Sequence, residues 1–145
     1  MREYLFRGKC KDTGEWVEGY YACESNHACF QCELKHRHYI FRDEFMDWSL
    51  GGLCQYEVIP DSVGQYTEMN DKNGRKIFEG DIVRLDKDVK EMFNICDGVV
   101  KYGWGGFYIG GFSALNSLNA ISTFDGVVRG EVIGTEFENA DLLEG

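Results

Sequence analysis

Proline is nearly missing: the 145 residues contain one, Pro60. That excludes collagen-like chains and proline-rich linkers, whose stiffness or triple helix depends on that residue. Long apolar runs are also missing. No stretch of about 18 apolar residues occurs, so no bilayer-spanning helix is expected. The opening residues Met1-Arg2-Glu3-Tyr4-Leu5-Phe6-Arg7-Gly8-Lys9 hold only a three-residue apolar step between charges, far short of the roughly 7–15 residues of a secretory signal. A cytoplasmic location in whatever cell makes the chain is the expectation, with thiols kept reduced. The six cysteines, Cys10, Cys23, Cys29, Cys32, Cys54 and Cys96, are then expected to be free thiols. Basic residues are scarce as well, 15 against 25 acidic, for a formal charge of −10. A protein that tracks nucleic-acid phosphates without sequence preference needs a net basic face, which this balance argues against.

Apolar and aromatic content is ample, at 43% and 14%, well clear of the disordered class. A chain of this length can bury roughly 68–70% of its unfolded surface, so a core needs no metal or disulfide. Eighteen glycines suit many tight turns between short strands. No window of twelve or more residues shows a helical apolar period. The signals are short β-branched and aromatic runs bounded by Gly, Asn and Asp.

Residues 4–9 and 16–21 read as strands joined by a turn at Asp12-Thr13-Gly14. Further strands are expected at 38–41, 55–59, 63–67, 76–78, 82–85, 98–102, 107–109 and 127–134. Asp43 is placed to cap a short helical turn that ends at Gly51-Gly52. Pro60 ends its strand by removing a backbone donor. Asp71-Lys72-Asn73-Gly74 reads as a type I′ hairpin turn, because Asn-Gly readily takes positive φ at both central positions. Asp81, after Glu79-Gly80, is expected to bond nearby backbone amides. Residues 113–119 form either a short helical turn or a loop. The fold class is mainly β, or β-rich α+β. It consists of an N-terminal antiparallel β subdomain over 1–65 and a small antiparallel barrel over 66–145, since closely spaced short strands suit such a barrel.

Several motifs invite chemistry. Cys23-x5-Cys29-x2-Cys32-x3-His36-x-His38 contains the thiolates and imidazoles that zinc prefers, with Cys29, Cys32, His36 and His38 as the first candidate set and Cys23 as a substitute for one histidine. Against it, Cys32 and His36 lack standard finger spacing, and small cysteines also pack as hydrophobes. Asp71-x-Asn73 with Glu79 and Asp81 suggests calcium. However, the EF-hand register needs glycine sixth and glutamate twelfth, where this sequence has Lys76 and Ile82. Gly103-Trp104-Gly105-Gly106 lacks the Lys-Ser/Thr ending of a phosphate loop and reads as a turn with an exposed or barrel-capping tryptophan. No nucleophile elbow or catalytic cysteine signature is present, so no enzyme is expected. A binding surface is expected from Trp104, Tyr66, Arg75 and Lys76, aromatic rings beside the basic tip of a hairpin. Charge favours a protein partner over nucleic acid.

Three blocks in this order and spacing resemble one family. They are Arg2-Glu3-Tyr4-Leu5-Phe6-Arg7-Gly8-Lys9 with Gly14-Glu15-Trp16-Val17-Glu18-Gly19-Tyr20; Val58-Ile59-Pro60-Asp61-Ser62-Val63-Gly64-Gln65-Tyr66-Thr67 with Asp71 to Val83; and Glu131-Val132-Ile133-Gly134-Thr135 with Glu138 to Leu143. Together they resemble the YopX protein family of temperate bacteriophages and prophages. The stretches 22–48 and 84–97 depart from its pattern. The resemblance implies that the C-terminal barrel is SH3-like and that the protein acts in an infected or lysogenic bacterium, but it implies no activity and carries no catalytic residues. The expected role is a non-enzymatic accessory protein that binds another protein and forms a homo-oligomer. The alternatives are a nucleic-acid-associated factor in phage replication or transcription, and a zinc-stabilised structural module.

Overall fold

The computed structural model describes residues 4–25, 36–44, 52–110 and 117–143. The protein is mainly β, with ten strands and one α-helix among these residues. It divides into two compact units at the step from Gln65 to Tyr66.

The first unit is an antiparallel meander. Strand β1 (Phe6–Lys9) pairs with β2 (Trp16–Ser25), which pairs with β3 (His36–Glu44), which pairs with β4 (Gly52–Glu57). On its other side β1 meets the first residues of β5 (Gly64–Asn70), through Phe6↔Gln65 and Arg7↔Gly64. Period-two alternation gives the sheet its apolar face. Val17, Ile40 and Val58 are buried there, and Phe6, Tyr21, Tyr56 and Val63 pack against them. Pro60 opens a 3-10 turn over Pro60–Ser62, a position where its missing donor costs nothing. Ser62 holds this turn to β1: its Oγ accepts from Lys9 N at 2.8 Å and donates to Ile59 O at 2.6 Å. Asp43 lies in β3, opposite Leu53. The helical turn expected to start there is replaced at that position by strand pairing, and residues 45–51 lie outside the described set.

In the second unit β5 continues and pairs with β6 (Lys76–Phe78). A four-stranded antiparallel sheet follows in the order β10 (Gly130–Thr135), β7 (Asp81–Leu85), β8 (Gly98–Gly103) and β9 (Gly106–Ile109). This sheet is open, with β10 and β9 at its edges, and no closed barrel is found among the described residues. Its core is aliphatic and includes Ile77, Val83, Val100, Ile109, Leu118 and Val128.

Two local expectations change. Helix α1 (Lys87–Phe93) was not foreseen; it places Val89 in the core and stops at Asn94, whose φ of 53° reverses the chain. Seven residues hold too few apolar positions to show a period. The hairpin turn at 71–74 is not type I′, because Gly74 takes positive φ (82°) and Asn73 does not. Gly74 N donates to Asp71 O at 3.0 Å, which fits a three-residue loop ending in a left-handed glycine. The cause is Asp71. Its Oδ1 accepts from both Asn73 N and Arg75 N at 2.9 Å, an arrangement that ties the loop down from its first residue. No helix among the described residues is long and apolar enough to cross a membrane.

Candidate functional site

The strongest local anomaly lies at the tip of the β8–β9 hairpin. Tyr102 faces Phe107 across the strands and Gly103 faces Gly106, so only Trp104 and Gly105 form the loop. Both have positive φ, 55° and 84°, the signs of a type I′ turn. Glycine adopts that backbone freely. For tryptophan it costs roughly 1–2 kcal/mol, through the clash of Cβ with the following carbonyl. The ring gains little burial in return, since Trp104 is 85% exposed. A second bulky residue in the same backbone region, Glu68 (φ 65°), sits in the bulge where β5 departs from β6 register. Thr67 supports that bulge: its Oγ1 donates to Ile77 O at 2.8 Å and accepts from Met69 N at 3.2 Å.

These two segments border one cavity of about 290 Å³, lined by Glu68, Met69, Tyr102, Phe107, Leu118 and Asn119 among others. The Tyr102 and Phe107 rings meet edge-on, 5.0 Å between centroids. Strained backbone that persists beside a cavity is the pattern found at binding sites. A larger groove of about 550 Å³ runs past Arg84, Lys90, Cys96 and Asp97. Its cations are already engaged, Arg84 with Glu131 at 3.7 Å and Lys90 with Asp97 at 3.3 Å.

The other residues expected on the binding surface lie on the β5–β6 hairpin. Tyr66 is only 8% exposed. Its ring packs on Phe78 at 5.5 Å and its hydroxyl donates to Asn70 Oδ1 at 2.9 Å. Lys76 lies over that ring at 5.9 Å, and both Lys76 and Arg75 are exposed. Tyr66 therefore serves packing, while Trp104 is presented to solvent. Asp81 does bond a backbone amide, accepting from Phe78 N at 2.8 Å.

A model of the YopX protein family matches residues 5–144. The chain belongs to that family. No curated protein matches it. YopX membership supplies no catalytic residues, so chemistry in this YopX protein has to be read from its own side chains.

Of the expected zinc ligands, Cys29 and Cys32 lie outside the described residues. His36 is exposed and opposite Ser25, while His38 is opposite Cys23. The Cys23 Sγ stands 4.0 Å from His38 Nε2, and His38 Nδ1 is hydrogen-bonded to the Tyr21 hydroxyl at 2.6 Å. The Tyr21 and His38 rings stack at 5.8 Å. Burial raises the Tyr21 phenol above its ordinary value, and the neighbouring Cys23 adds to the shift. Among the described residues, no group of three His, Cys, Asp or Glu is placed to hold a metal. The sequence listed these residue types but could not pair Cys23 with His38, because that pairing depends on strand register. Glu68 was missed for a related reason: a bulge of this kind has no residue signature.

Proposed function

We propose that this YopX protein is a non-enzymatic accessory protein of a temperate phage, and that it binds a protein partner through the face around Trp104. The reading takes the second unit as an SH3-like small barrel whose β8–β9 hairpin forms part of the contact surface. The observation that carries it is an 85% exposed tryptophan held at positive φ beside the Tyr102–Phe107 cavity. A rigid aromatic anchor next to a pocket is what interface hot spots are made of. The net charge of −10 favours a partner that brings a basic side chain, and an arginine can stack on the indole face.

A photo-reactive amino acid at Asn119, on the cavity wall, tests this in cells of the natural host. The expected result is a discrete protein adduct that disappears in Trp104→Asn and does not form when the same probe replaces Lys11. Adducts to nucleic acid alone, or adducts indifferent to both changes, would overturn the reading.

A further inference from the structure

On the apolar face of the first sheet, Tyr21 stands opposite Ile40, and the next pair outward on that face is Cys23 and His38. The face therefore changes from hydrocarbon to thiol and imidazole within one step of the strand. We infer that Cys23 and His38 are two ligands of a zinc site on the β2–β3 hairpin.

The spacing suits a shared metal ion as well as a thiol–imidazole hydrogen bond, and the cobalt titration below distinguishes the two. Zinc holds sulfur at about 2.3 Å and nitrogen at about 2.0–2.1 Å, which in a tetrahedron puts the two donors about 3.6 Å apart. At 4.0 Å the pair stands at the outer limit of a sulfur hydrogen bond, and a few tenths of an ångström of side-chain movement brings it to the metal-bridged distance. The other ring nitrogen adds a second observation. Ligating histidines almost always have their free nitrogen fixed by an outer hydrogen bond. Here Tyr21 provides one at 2.6 Å. When His38 Nδ1–H donates to the Tyr21 hydroxyl oxygen, the Nε2 lone pair is free on the side of Cys23. Stacking of the two rings at 5.8 Å holds that orientation. Thiolate with imidazole is a donor set suited to zinc, and it disfavours magnesium and calcium. On binding, the Sγ–H bond breaks, the thiolate sulfur forms the bond to the metal, and the proton passes to solvent. Cys23 and His38 fill two positions, leaving the others to water or further donors.

Cobalt(II) titration of metal-free, full-length protein in a non-chelating reductant is the test, followed by displacement with zinc. The expected result is one ion per chain with a thiolate-to-cobalt charge-transfer band, and proton release on binding. Cys23→Ser is expected to remove the Cys23 contribution to that band, and both Cys23→Ser and His38→Ala to weaken binding at least a hundredfold. Tyr21→Phe keeps the ring but loses the outer hydrogen bond, for a loss of about tenfold. Cys96→Ser, the exposed thiol of the second unit, should change nothing. Circular dichroism of each variant separates lost ligation from lost folding. Failure of the wild-type chain to bind cobalt, or an unchanged band and affinity in Cys23→Ser, overturns the inference. So does loss of binding in Cys29→Ser or Cys32→Ser while Cys23→Ser retains it, since the metal would then belong to other residues.

Discussion

In the unit that ends at Gln65, the buried apolar cluster consists of Val17, Ile40 and Val58, with aromatic rings leaning against it. In the unit that begins at Tyr66, the cluster has eleven buried side chains, all aliphatic, drawn from strands, helix and loops. Both sets are taken from the described residues. The difference bears on where each unit keeps its stability and its chemistry. A broad aliphatic core supports strained features at its edge, such as Trp104 and Glu68. Among the described residues of the first unit, the apolar cluster gives way along the same sheet face to polar groups, which is where Cys23 and His38 stand. If that pair binds zinc, the metal adds holding energy to the β2–β3 hairpin beyond its apolar packing.

The sharpest way to break this contrast is to make the same deletion in both cores. Ile109→Ala should cost about 4 kcal/mol, because closely packed aliphatic neighbours cannot collapse into the space. Ile40→Ala should cost about 2–3 kcal/mol, since a cavity bordered by partly buried aromatic rings, which can pivot into the space, fills more easily. Denaturant unfolding read by hydrogen exchange within each unit measures both. Equal losses would erase the distinction between the cores.

Polar clamps allow a second like-for-like test. Asp71 is 2% exposed, and its carboxylate accepts from three backbone amides: Asn73 and Arg75 through Oδ1, and Val132 through Oδ2 at 3.0 Å. It ties the β5–β6 loop to β10, 61 residues later. Removing it leaves one buried and two part-buried amides without their acceptor, so Asp71→Ala should cost about 2–3 kcal/mol. Asp71→Asn should recover only part of this, because its amide NH₂ faces another donor if the carbonyl keeps the loop. Ser62 plays the corresponding part in the first unit with one accepted and one donated bond. Ser62→Ala should cost about 1 kcal/mol. A loss for Ser62→Ala as large as that for Asp71→Ala would show that the first unit relies on polar clamps as heavily as the second.

The same contrast explains what could be read before the fold was known. Strands announced themselves where apolar and β-branched residues cluster between turn formers, as at Lys76-Ile77-Phe78 and Ile82-Val83-Arg84-Leu85, and the bond from Asp81 to a nearby amide followed from its position after Gly80. Errors arose where a long-range partner overrides a local preference. Asn73-Gly74 has the composition of a type I′ turn, but the Asp71 carboxylate takes the amides and selects another loop. Asp43 resembles a helix cap, yet pairing with Leu53 holds it in a strand. Helix α1 is stabilised by burying Val89, a tertiary contact with no periodic trace in seven residues. The candidate sites divide in the same way. Trp104 in a glycine-rich turn was legible, whereas the Cys23–His38 pairing and the Glu68 bulge depend on registers that composition does not specify.

The smallest expected effect has the opposite sign, and for that reason it bears most directly on function. Asn-Gly is the preferred sequence for a two-residue type I′ loop, and asparagine tolerates left-handed backbone that tryptophan resists. Trp104→Asn should therefore stabilise the second unit by about 0.5–1 kcal/mol, measured as a shift in denaturant midpoint with unchanged slope. Little burial is lost in exchange, since the ring is 85% exposed. A residue whose replacement improves folding while abolishing the Asn119 adduct is retained for contact rather than for the fold. If Trp104→Asn instead destabilises the unit, the indole is holding the hairpin together, and its exposure no longer argues for a partner.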